Sequence, residues 1–92
     1  MNVVNGKQLK AGRVILGMTL EDMANEAGLH RNSVMKVERH DNLPRFTYAG
    51  DRMARVLEGK GIKFKAENGV LSVMFEGLDY RNRAKYVKKK MV

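Results

Sequence analysis

The sequence predicts a mainly α domain of four or five helices, followed by a C-terminal β-hairpin and a basic tail. Three observations carry that expectation. Apolar residues recur at helical spacing between glycine and proline stops from Asn5 to Glu58. Beyond Gly61 the period shortens to two, and Asn68-Gly69 supplies a strong hairpin signal. The charge is also unevenly spread. Of 18 basic and 10 acidic side chains, 12 and 8 lie in residues 1–75, leaving 6 and 2 for residues 76–92, so the net +8 divides into +4 and +4.

The elements follow in order. Asn5 is a suitable N-cap for a first helix reaching Leu16, with Leu9, Ile15 and Leu16 near helical spacing and Gly17 as its stop. Thr19 caps a second helix, with Asp22 three residues on in place of the usual Glu or Gln of a capping box. Met23, Ala24 and Ala27 form its inner face. Gly28 ends it, and after Leu29 a third helix starts at His30, with Val34 and Val37 turned inward. Asn42-Leu43-Pro44 breaks the pattern. A fourth helix is expected from Thr47 to Glu58, burying Ala49, Met53, Val56 and Leu57, before Gly59 and Gly61.

In the hairpin, Ile62, Phe64 and Ala66 alternate with Lys63, Lys65 and Glu67, a strand with one face toward water. The returning strand, Val70 to Phe75, has only Ser72 as a polar residue and so predicts cover on both faces. In the tail, Tyr80, Ala84, Val87 and Met91 share one helical stripe. A short helix, a basic arm and a solvated tail all fit that segment.

Composition narrows the function. With 92 residues there is room for one modest core. No cysteine is present, which excludes disulfides and thiolate metal sites. No apolar run approaches the roughly 20 residues that span a bilayer, and the N-terminus lacks the order of a signal peptide; a cytoplasmic protein without a membrane partner is expected. Excess lysine and arginine point to a polyanion, since they neutralise phosphates and release counterions. The two histidines stand at no metal-ligand spacing, and there is no glycine-rich phosphate loop, carboxylate pair in an apolar setting or nucleophile beside a base. The expectation is therefore a non-enzyme with no cofactor, no metal and no evident small-molecule ligand.

Residues 19–39, TLEDMANEAGLHRNSVMKVER, meet the requirements of a helix-turn-helix. Ala24 permits close approach, Gly28 can take the left-handed corner, and Leu29, Val34 and Val37 plug one helix onto the other. Arg31, Asn32, Met35 and Lys36 are left on the outer face, where a major groove would lie. Over about residues 7–58 the sequence resembles the Xre and phage-repressor (Cro-like) helix-turn-helix family, through Arg13, Thr19, Met23-Ala24, Ala27-Gly28-Leu29, Ser33-Val34, Val37-Glu38-Arg39 and the Pro44-Arg45-Phe46 loop. The resemblance implies a lambda-repressor-like domain over residues 1–60 and a structural ion pair between Arg13 and Glu38. The chain departs from the family at Leu20, where a Gln commonly contacts DNA, and at His40, where many members have Gly. Target preference is therefore not carried over.

Candidate roles follow from side-chain chemistry. Arg31 can bind guanine, and Asn32 adenine, through paired hydrogen bonds. Ser33 is open between a base, a phosphate and packing at the turn. Lys36 can reach a base or a phosphate, and Met35 either a thymine methyl or a packing contact. Thr19, His30, Arg39 and Arg45 are phosphate candidates, Thr19 in addition to its capping role and Arg45 with a minor groove as the alternative. The hairpin, residues 61–75, is expected to join two copies through Val70, Leu71, Val73 and Phe75, giving a homodimer on a palindromic operator. The expected function is sequence-specific, double-stranded DNA-binding transcription regulation, as a repressor, because repression needs only promoter occupancy. Two alternatives stay open: the antitoxin of a toxin–antitoxin pair, and a non-specific nucleic-acid accessory protein.

Overall fold

The computed structural model describes residues 5–40 and 48–76. Four helices, α1 (Gly6–Ile15), α2 (Leu20–Ala27), α3 (Arg31–Arg39) and α4 (Tyr48–Gly59), precede an antiparallel hairpin of β1 (Ile62–Glu67) and β2 (Val70–Phe75). The chain is thus mainly helical with a C-terminal two-stranded sheet. The Pro44-Arg45-Phe46 loop, Thr47 and the 77–92 tail, with its Tyr80–Met91 stripe, lie outside the described residues.

Helix starts are set by reciprocal side-chain caps. Asn5 Oδ1 accepts the Gln8 N–H at 3.1 Å, and Gln8 Oε1 accepts the Asn5 N–H at 3.3 Å. Thr19 and Asp22 do the same at the start of α2, at 3.0 and 2.9 Å, so the shorter Asp also completes a capping box. His30 stands at the N-cap of α3, but its side chain makes no capping bond; its carbonyl accepts from Ser33 and Val34.

The core comprises Leu9, Met23, Ala24, Ala27, Val34, Val37, Met53, Ala54, Leu57, Ile62 and Phe64. Two strand residues belong to it, so the hairpin closes the helical core rather than standing beside it. The inner face of α1 differs from the expected one: Gln8, Leu9, Gly12 and Arg13 are buried, whereas Ile15 is exposed. At about 100° per residue, Ile15 lies some 120° around the helix from Leu9, outside the stripe that Leu9, Gly12 and Arg13 define. In α4, Gly50 and Ala54 join Met53 and Leu57 inside, while Ala49 and Val56 are half-buried.

The sheet is joined by a two-residue turn with positive φ at both Asn68 (53°) and Gly69 (77°), the conformation a type I′ hairpin needs. The register pairs Ile62 with Phe75, Phe64 with Val73 and Ala66 with Leu71, so these six share the face turned toward the helices. Val73 and Phe75 pack against the chain's own core. Val70, Leu71 and Met74 stay exposed. The two-sided cover expected for β2 is therefore supplied within the chain on one face only, because the opposite face of the pleat looks away from α1 and α4.

Buried polar groups tie these layers together. Gln8, 2% exposed, also donates through Nε2 to the carbonyls of Lys65 (3.2 Å) and Ser72 (3.4 Å), linking α1 to both strands. Gly6 donates to the His40 carbonyl at 2.8 Å, and a Cβ at Gly6 would collide with the Val37 carbonyl. That contact brings the start of α1 against the end of α3 and admits only glycine.

Candidate nucleic-acid interface

The site is built on α3, and two features orient that helix. The first is the corner. Gly28 caps α2 in the left-handed region (φ 70°, ψ 39°), and the Leu29 N–H returns to the Ala24 carbonyl at 2.8 Å. A non-glycine residue would be strained in this conformation. The second is an ion pair. Arg13 Nε and Nη2 donate to the two carboxylate oxygens of Glu38 at 2.7 and 3.0 Å, and Nη1 donates to the Met18 carbonyl at 2.8 Å. The two side chains are only 11% and 6% exposed. This bidentate, nearly dry pair fastens α3 to α1 and uses three donors of one guanidinium.

With Val34 and Val37 buried, helical geometry sends the remaining side chains outward. Arg31, Asn32, Met35, Lys36 and Arg39 fall within an arc of about 140° on the opposite side. Arg31, Asn32, Lys36 and Arg39 are exposed, while Met35 is half-buried and accepts a weak bond from Arg31 Nη1 to its Sδ at 3.6 Å. Ser33 is half-buried on the flank of the arc, which favours its packing role. His30 is exposed at the end of the helix where the arc begins. Three cations share this surface. The single acid of α3, Glu38, is turned inward to Arg13, so no carboxylate of α3 competes for them.

Thr19 is exposed but largely committed. Its amide donates to the Asp22 carboxylate and its hydroxyl oxygen accepts the Asp22 N–H, so both groups are engaged in the cap. The Thr19 amide, and then its hydroxyl, hold the Asp22 carboxyl below its ordinary value. Glu21 and Asp22 thus place negative charge in the first turn of α2, opposing a phosphate there. Arg45 lies outside the described residues. Sequence reasoning did not single out Arg52, whose Nε donates to the Ala27 carbonyl at the corner and whose guanidinium lies 5.5 Å from the Tyr48 ring centroid. Its one trace in the sequence is the i, i+4 spacing to Tyr48.

Among the described residues no cluster of three His, Asp or Glu side chains can hold a metal ion. Among them also, no helix is long and apolar enough to cross a membrane. No protein-family model matches the chain, and no curated protein sequence does.

Proposed function

We propose that this chain is a sequence-specific regulator that binds double-stranded DNA through α3, as the reading helix of a lambda-repressor-like helix-turn-helix. The observation that carries this is the outward arc of α3: an arginine, an asparagine, a methionine, a lysine and a second arginine on one helix face, with no acid among them. A nine-residue helix is about 13 Å long, which suits a major groove about 12 Å wide. Arg31 and Asn32, in its first turn, carry base readout. Lys36 reads a base or a phosphate a turn further on. His30 and Arg39 contact phosphates at the two ends of α3.

The partner copy docks on the hairpin. Val70 and Met74 alternate on the face turned away from the core, and Leu71, on the helix-facing side beside the turn, is also exposed; an exposed apolar strand on a two-stranded sheet is a template for association. Two-fold pairing of this surface gives a homodimer whose two α3 helices, set about 34 Å apart, read a palindromic operator. Occupancy of such a site represses transcription.

The test is selection of bound duplexes from a random library at about 0.15 M salt, repeated with Arg31→Ala. A two-fold symmetric consensus that loses one position per half-site in the variant supports specific readout, at about 1–3 kcal/mol per base pair. Binding without any enriched sequence, fading uniformly as salt rises, overturns it and leaves a charge-driven accessory protein.

A further inference from the structure

The corner between α2 and α3 is held from outside, by α4. Ala27 is the last residue of α2, and its carbonyl is among those a helix leaves without an internal donor. The Gly28 and Leu29 amides both return to Ala24. Ala27 is served instead by Arg52 Nε. The same guanidinium continues past Gly28, where a Cβ would stand 3.0 Å from Nη2, and it is backed by Tyr48. A carbonyl before it and an aromatic ring beside it give Arg52 one well-defined position, and its charge complements the negative end of α2.

The consequence lies three residues on. Arg31 opens the outward arc of α3 directly after this corner. With the far end held at Glu38, a tilt of about 10° swings the first turn of α3, which carries Arg31 and Asn32, by about 2 Å, while paired hydrogen bonds to a base edge tolerate about 0.5 Å. Arg13 fastens the C-terminal half of α3 through Glu38, and Arg52 fastens the corner that launches its N-terminal half. We infer that Arg52 is a positioning residue for recognition: it sets the angle at which α3 leaves α2 and touches no DNA itself. This inference rests on the DNA-binding reading above.

Full-length Arg52→Met and Arg52→Lys provide the test, with two measurements. In the free protein, native-state amide exchange at Gly28 and Leu29 is expected to quicken about tenfold in Arg52→Met relative to core amides such as Leu57, with partial recovery in Arg52→Lys. With DNA, affinity for the selected duplex is expected to fall about tenfold, while affinity for a scrambled duplex of equal length, at equal salt, holds within about twofold. Unchanged exchange at the corner, or acceleration shared by every core amide, overturns the positioning role. Equal losses on both duplexes, with a shallower salt dependence, overturn it in favour of a phosphate contact. A wild-type protein that prefers no duplex defeats the DNA-recognition reading instead, and the exchange experiment still decides whether Arg52 holds the corner.

Discussion

Single side chains decide how firmly α3 is held. Arg13 and Glu38 are nearly dry and satisfy each other bidentately; removing one partner leaves a buried charge uncompensated. Glu38→Ala is expected to cost about 3 kcal/mol in denaturant unfolding, and replacing both residues by Met to cost much less. Asp22 gives a pH-dependent expectation. Its folded carboxyl is held below the ordinary value of 3.8 by the Thr19 amide and hydroxyl. A depressed acid contributes stability above its unfolded value, and that contribution is lost as pH falls through the folded one. Wild type is therefore expected to be more stable than Asp22→Asn at pH 6. Urea unfolding between pH 6 and pH 2 should show that gap closing below about pH 3.8; a constant gap would show that charge is not its source.

At the scale of elements, two glycines do different work. Gly6 lies where α1 meets the end of α3, and a Cβ there has no room against the Val37 backbone. Gly28 occupies the left-handed corner, where only a flexible arginine stands close. Gly6→Ala is therefore expected to cost about 3 kcal/mol or more, and Gly28→Ala about 1–2 kcal/mol. Thermal unfolding of the two variants side by side checks the order. A larger loss at Gly28 would mean that the corner, not the α1–α3 contact, limits the helical packing.

For the whole molecule, the hairpin has two faces in different surroundings. Val73 and Phe75 complete the core, whereas Val70 and Met74 project away from it. Phe75→Ala is expected to lower stability by a few kcal/mol. The Val70→Lys, Met74→Lys double variant should leave the monomer's stability nearly unchanged. If the proposed dimer forms through this face, the variant should sediment as a monomer at concentrations where wild type sediments as a dimer, and should bind the selected duplex with much reduced affinity. A wild type that sediments as a monomer bound to its full operator would place the dimer contact elsewhere or remove it.

Much of this protein is written in local sequence. Caps at Asn5 and Thr19, the stop at Gly28, the inner faces of α2 and α3 and the Asn68-Gly69 turn each depend on residues within one or two turns of one another, so propensity and periodicity expose them. The outward set on α3 was legible for the same reason, since Val34 and Val37 define the opposite side of a short helix. What only the tertiary structure decided involves residues far apart in the chain. The bridging of Gln8 to both strands, the inward packing of Val73 and Phe75, and the reach of Arg52 to Ala27 all depend on how helices and hairpin cross. No local period encodes that crossing. It is set by burial summed over the whole core, where a side chain's neighbour is 25 to 64 residues away.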